Sequence, residues 1–149
     1  MDEFLSHLQL EKTRFTMEVF FEMDRDLNGS MDFQEFVMSV WRYATKRDVE
    51  IVEFAFDIFD TDNSGVLTED ELKDCIGEIY GKKGLNESTA KMLKKFDKSK
   101  DGKVSKVEFL NGCKQVPQLL YPAFSIQNAV RRNILGEGFW EEKTRNAAR

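Results

Sequence analysis

Apolar residues recur along the chain at helical spacing, and three polar stretches of twelve residues interrupt them. Phe20 and Met23, Phe56 and Phe59, and Leu93 and Phe96 stand four residues and one residue ahead of these stretches. Phe36, Leu72 and Phe109 follow directly behind them. Such spacing places one apolar face on a helix entering each stretch and one on a helix leaving it. The stretches 24–35, 60–71 and 97–108 align without gaps, and their starts lie 36 and 37 residues apart. The pattern therefore predicts an all-α chain that uses one helix–loop–helix unit three times.

The connections suggest how the units associate. Between the second and third stretches, Gly81 and Gly84 can end one helix, and Asn86 or Ser88 can cap the next. That is a tight turn inside a pair. Residues 40–50 hold no Gly or Pro and are largely polar, as suits a connection between lobes. The second and third units then pair, and the first is the odd one. Residues 1–11, with Phe4, Leu5, Leu8 and Leu10, are too short for a fourth unit but long enough for a helix. The expected organisation is 1–47 for an N-terminal helix plus the first unit, 48–116 for the pair, and 117–149 for a C-terminal helical tail. Pro117 and Pro122 should break the helix that leaves the third unit. In the tail, Ile126, Val130 and Ile134 form one apolar stripe beside Arg131 and Arg132. Two readings stay open: the stripe packs as core on a neighbouring lobe, or it fills a groove meant for a partner. Ile126-Gln127 followed by Arg131 resembles half of a calmodulin-binding IQ motif, although Gly136 stands where a second basic residue belongs.

The stretches read Asp24-Arg-Asp-Leu-Asn-Gly-Ser-Met-Asp-Phe-Gln-Glu35, Asp60-Thr-Asp-Asn-Ser-Gly-Val-Leu-Thr-Glu-Asp-Glu71 and Asp97-Lys-Ser-Lys-Asp-Gly-Lys-Val-Ser-Lys-Val-Glu108. They resemble the calcium loops of EF-hand proteins, whose pattern D-x-[DN]-x-[DN]-G-x5-E has a physical basis. Ca²⁺ is a hard cation that takes six to eight oxygens; the glycine allows the wrap, and the last Glu binds through both oxygens. The first loop offers Asp24, Asp26, Asn28, Ser30 (backbone), Asp32 and Glu35. The second offers Asp60, Asp62, Ser64, Val66 (backbone), Thr68 and Glu71. The third offers Asp97, Ser99, Asp101, Lys103 (backbone), Ser105 and Glu108. Acidic surface turns are the bland alternative. One such loop arises by chance on the order of 10⁻⁶ to 10⁻⁵ times per window, so three in phase leave that alternative negligible.

The resemblance covers roughly residues 12 to 115 and implies three hands, with short β-bridges between paired loops through position 8, here Met31, Leu67 and Val104. It is nearest to the calcineurin B and neuronal calcium sensor group. Met31-Asp-Phe-Gln-Glu-Phe36, Phe54-Ala-Phe-Asp-Ile-Phe-Asp60 and Glu108-Phe-Leu-Asn-Gly-Cys113 carry it. The implied cofactor is Ca²⁺, up to three ions. The side chains within the loops sum to charges of −3, −5 and +1 in order. Lys98, Lys100, Lys103 and Lys106 crowd the third loop, so its site should be weakest. The first two belong in the sensor range of about 10⁻⁷ to 10⁻⁵ M.

Composition removes other classes. Acidic residues outnumber basic ones 27 to 22, for a net charge of −5, so no nucleic acid is expected as partner. No apolar run nears the ~18 residues of a membrane span. Met1-Asp2 begins no signal peptide, and Asp2 stands where myristoylation needs Gly, so no lipid anchor is expected. The expected location is cytoplasmic. The two cysteines, Cys75 and Cys113, form no CxxC. His7 is the lone histidine, and GxSxG, P-loop and HExxH motifs are lacking, so the chain is not expected to be an enzyme. Thirteen Phe residues point to aromatic cores.

The resemblance implies a Ca²⁺ sensor. Ion binding would open a pair and expose an apolar groove, built on Phe56, Phe59, Leu72, Ile76, Leu93, Phe96 and Phe109, for an amphipathic helix of a target protein. A Ca²⁺ buffer, a constitutive regulatory or structural subunit, and the regulatory segment of a larger enzyme are the alternatives. The unpaired first hand also offers a route to self-association.

Overall fold

The computed structural model describes residues 2–23, 32–81 and 85–147. Two compact units are formed: Met1–Arg47 with Phe124–Arg149, and Asp48–Ala123.

In the second unit, helix α4 (Asp48–Phe59) leads into a loop containing strand β1 (Val66–Leu67), then α5 (Glu69–Tyr80). Helix α6 (Leu85–Phe96), strand β2 (Val104–Ser105) and α7 (Lys106–Cys113) repeat the arrangement. The strands pair antiparallel, with Leu67 opposite Val104 and Val66 opposite Ser105. The second and third hands are therefore joined through position 8 of each loop. Gly81, with φ of 75°, ends α5 in a conformation that costs glycine little. Helix α6 already begins at Leu85, so Asn86 and Ser88 lie inside its first turn rather than capping it.

The core of this unit is aromatic. Phe56, Phe59, Leu72, Ile76, Phe96 and Phe109 are buried. The Phe109 ring meets Phe56 edge-on at 5.6 Å and Phe96 at 6.1 Å, geometries favoured by ring quadrupoles. Gly112 is small for a packing reason: a Cβ there would lie 2.5 Å from the Phe96 ring. Leu93 is only half-buried.

The first unit contains α1 (Asp2–His7), α2 (Arg14–Met23), α3 (Phe33–Thr45), most of α8 (Tyr121–Asn133) and α9 (Glu137–Ala147). Its core joins Leu8, Phe15, Phe20 and Tyr43 to Ile126, Val130 and Trp140 of the tail. The tail is thus core for the first hand. Its polar side chains also complete α3, whose last carbonyls lack helical partners. Gln127 Nε2 donates to Tyr43 O at 3.1 Å and Lys46 O at 2.8 Å. Arg131 Nε and Nη2 donate to Ala44 O at 2.8 and 2.6 Å, and a cation suits the negative end of a helix. Trp140 Nε1 donates to Ile134 O, and its ring packs on Trp41 at 5.5 Å. Ile134, the third residue of the stripe, is half-buried.

The helix leaving the third hand does end ahead of the prolines, but Pro122 opens a helix rather than stopping one. Helix α7 ends at Cys113, ahead of Pro117, which opens a 3-10 turn (Pro117–Leu120). Pro122 is the second residue of α8, where its missing N–H has no helical acceptor to lose. Among the described residues, no helix is long and apolar enough to cross a membrane.

Candidate metal centre in the chelating loops

Each loop ends in a capping box. Thr68 and Ser105 are the N-caps of α5 and α7, and Glu71 and Glu108 reach back to the N-cap backbone. Asp32 and Glu35 do the same for α3. Positions 9 and 12 of the loop thus coincide with the cap and N3 positions of the leaving helix. Helix start and ligand pattern are written in the same residues.

The second loop is wrapped around its acidic side chains. Asp60 Oδ1 accepts the Ser64 N–H at 2.9 Å, and Oδ2 accepts that of Gly65 at 2.8 Å. Asp62 Oδ1 also accepts from Ser64 N–H, at 3.0 Å. Gly65, at φ of 80°, makes the required turn. Glu71 Oε1 takes the Thr61 N–H at 2.9 Å and its hydroxyl at 2.8 Å; Oε2 takes the same two donors of Thr68 at 2.9 and 2.8 Å. The Ser64 hydroxyl donates to the Val66 carbonyl at 2.9 Å.

One oxygen from each of Asp60, Asp62 and Glu71 lies within 4.8 Å of the others. At an effective dielectric of about 20, each such pair of like charges repels by about 3 kcal/mol. A divalent cation among them reverses the sign. Burial works against the charge of Glu71, but hydrogen bonds from Thr68 and Thr61 outweigh it and hold its carboxyl at about 2. Glu71 is therefore charged at neutral pH, in a gathered site with hard oxygen donors only. That donor set fits Ca²⁺.

The third loop follows the same plan. Asp97 Oδ1 accepts the Lys100 N–H at 2.6 Å and the Ser99 hydroxyl at 3.1 Å; Oδ2 accepts the Gly102 N–H at 2.9 Å. Glu108 Oε1 accepts the Lys98 and Ser99 N–H groups at 2.8 and 2.9 Å, and Oε2 the Ser105 N–H at 2.9 Å. The N–H groups of Ser105 and Ser99 bring its carboxyl down to about 2 against the opposing effect of burial. Asp101 Oδ1 accepts from Lys103 N–H at 2.9 Å. Among the described residues, Asp60, Asp62 and Glu71 form the one trio so gathered. In the first loop Asp24, Asp26, Asn28 and Ser30 lie outside the described residues, and only the Asp32–Glu35 box is seen. The Thr61 hydroxyl is a contact that ligand-pattern reading missed. A hydroxyl residue at loop position 2 is its only sequence sign.

Cys75 and Cys113 are buried thiols. Burial raises Cys75 well above the ordinary range and pushes Cys113 up to about 12, so both are poor nucleophiles.

Comparison with known proteins agrees with this geometry. The EF-hand domain pair model matches residues 50–114. Rat calcineurin B type 2 is 32% identical over 114 residues, covering 73% of this chain and 65% of the relative. Calcineurin B of Schizosaccharomyces pombe is 32% identical over 113 residues, 72% of this chain and 65% of the relative. Human calcineurin B type 2 is 31% identical over 114 residues, 73% and 67% of the two lengths. The chain thus spans about two thirds of the length of these relatives. With two β-bridged hands, capped chelating loops and these relatives, the chain belongs to the EF-hand family, in its calcineurin B-like group.

Proposed function

We propose that the chain is a Ca²⁺ sensor that regulates a target protein. The observation that carries this is the gathered trio Asp60, Asp62 and Glu71 on a loop β-bridged to a second chelating loop. Each loop takes one ion through the side-chain and backbone oxygens named above, and the third loop binds most weakly. Both oxygens of Glu71 and of Glu108 are held by hydrogen bonds from their own loops. Ca²⁺ competes for those oxygens, and the leaving helix moves with its glutamate. Movement of α5 or α7 opens the Phe56–Phe96–Phe109 core to an amphipathic helix. The relatives are named as calcineurin subunits, which supports a role beside a protein partner. In this reading the chain acts in the cytoplasm and performs no catalysis.

The test is titration of calcium-free protein with Ca²⁺ in the presence of Mg²⁺, following a dye that brightens on apolar surface. A saturable rise at micromolar Ca²⁺ is the expected result. Binding by calorimetry without a dye change would mean a buffer or a constitutive subunit. No binding would overturn the calcium reading itself.

A further inference from the structure

The third hand carries a charge pattern that neither chelation nor the fold requires. Seven of the sixteen residues 91–106 are lysines, against two acids, in a chain of net charge −5. Lys91, Lys94 and Lys95 stand at i, i+3 and i+4 on α6, the spacing of one helix face, and Lys98 follows just past the end of that helix. All four are exposed or half-exposed, and exposed Lys100 and Lys103 continue the run through the loop. The other hands serve as internal controls. Where the third loop has Lys98, Lys100 and Lys103, the second has Thr61, Asn63 and Val66, and the first has Arg25, Leu27 and Ser30. The lysines even oppose the ion, since they make this loop net positive.

We propose that this face binds an anionic bilayer surface. Three observations favour a membrane over an acidic protein or a nucleic acid. Every cation between 48 and 123 is a lysine and none is arginine. Lysine is a hydrated point charge suited to a diffuse negative field, whereas arginine forks suit fixed carboxylate or phosphate partners. The run holds seven lysines, three on α6 and four within residues 97–108, and clusters of four to eight basic residues are of the size that holds a protein to such lipid. Val107, beside the lysine run, is 65% exposed where the matching positions carry Gln34 and Asp70. It supplies an apolar contact for the interfacial layer. Of the run, Lys91 also pairs with Glu87, Lys95 reaches Gln115 O at 3.5 Å, and Lys106 pairs with Asp57 at 2.6 Å, so attraction to lipid competes with weak local contacts.

The effect of the ion on these lysines alone rests on the calcium reading above. Ca²⁺ in the third loop adds two charges to the same face. Calcium then strengthens lipid binding, and by reciprocity anionic lipid strengthens calcium binding at this loop.

The experiment is co-sedimentation of the full chain with vesicles. One set is an equimolar mixture of phosphatidylcholine and phosphatidylserine; the other is phosphatidylcholine alone. In chelator, binding to the mixed vesicles alone is expected, falling as salt rises. Replacing Lys91→Gln, Lys94→Gln and Lys95→Gln, all outside the loop, should weaken it about a hundredfold, at about fivefold per lysine. Helix content by circular dichroism should stay unchanged. Equal binding to neutral vesicles, or a triple variant that binds as before, would overturn the proposal. So would displacement from the vesicles by polyglutamate or by single-stranded RNA at matched charge, which would point to those partners instead. The chelator arm stands whether or not the protein binds calcium. Calorimetry with Ca²⁺ on the lipid-free protein tests that reading separately.

Discussion

Glu71 does two jobs with one carboxylate and is proposed for a third. It answers the N-cap of α5 and holds Thr61 across the loop, and in the proposed site it is the two-oxygen ligand. Glu71→Gln keeps the length and part of the cap but loses the charge. The expected result in calorimetry is a loss of affinity at the second loop beyond the ~10–100-fold typical of an outer-shell change. The fold should survive. Glu71 and Glu108 also link stability to pH. Both carboxyls lie at about 2 in the fold, against an ordinary value of 4.5. A depressed folded pKa contributes stability that is present above the unfolded value and lost as pH falls through the folded one. The calcium-free protein should therefore lose stability between about pH 4.5 and pH 2, and the loss should shrink in Glu71→Gln, as read from urea midpoints at each pH. Gly112 is the opposite kind of residue, defined by what cannot be there. Gly112→Ala puts a methyl against the Phe96 ring, and we expect about 1–3 kcal/mol of destabilisation, read from the same midpoints.

Among the elements, the second and third loops were the most legible part of the described chain. Chelation demands particular oxygens at particular positions, and the capping box demands the same residues at positions 9 and 12. Two independent constraints therefore wrote one pattern into the sequence. Bridge formation by Leu67 and Val104 was legible because a residue facing the partner loop must be apolar. The tail was less so. The stripe of Ile126 and Val130 announced that α8 buries a face, but an apolar stripe carries no address. The address lies in Gln127 and Arg131, whose targets are backbone carbonyls of α3 and its cap, and carbonyls leave no mark in sequence. Pro122 misled because proline reads as a stop, whereas in a first turn it reads as a start. Gln127→Ala leaves the Tyr43 and Lys46 carbonyls without this buried donor. It should lower stability by about 1–3 kcal/mol, measured by urea unfolding, while leaving the calcium affinity of the second loop unchanged.

On the scale of the whole molecule, charge separates the hands more sharply than fold does. The second loop carries −5 and the third +1 in the same framework. Raising the ionic strength should therefore weaken calcium at the second loop more than at the third, narrowing the gap between two calorimetric affinities. A gap that widened with salt would contradict this electrostatic account.

The indole pair of the first unit has a consequence for how the molecule can be watched. Trp41 and Trp140 are the chain's two tryptophans, and they sit 5.5 Å apart in the unit that does not contain the bridged loops. Indole emission is thus a natural optical channel for the odd hand and its tail, silent about the pair. If ions that fill loops 60–71 and 97–108 alter that emission, the signal has crossed from one unit to the other. Unlabelled protein in a fluorimeter measures whether the two halves converse.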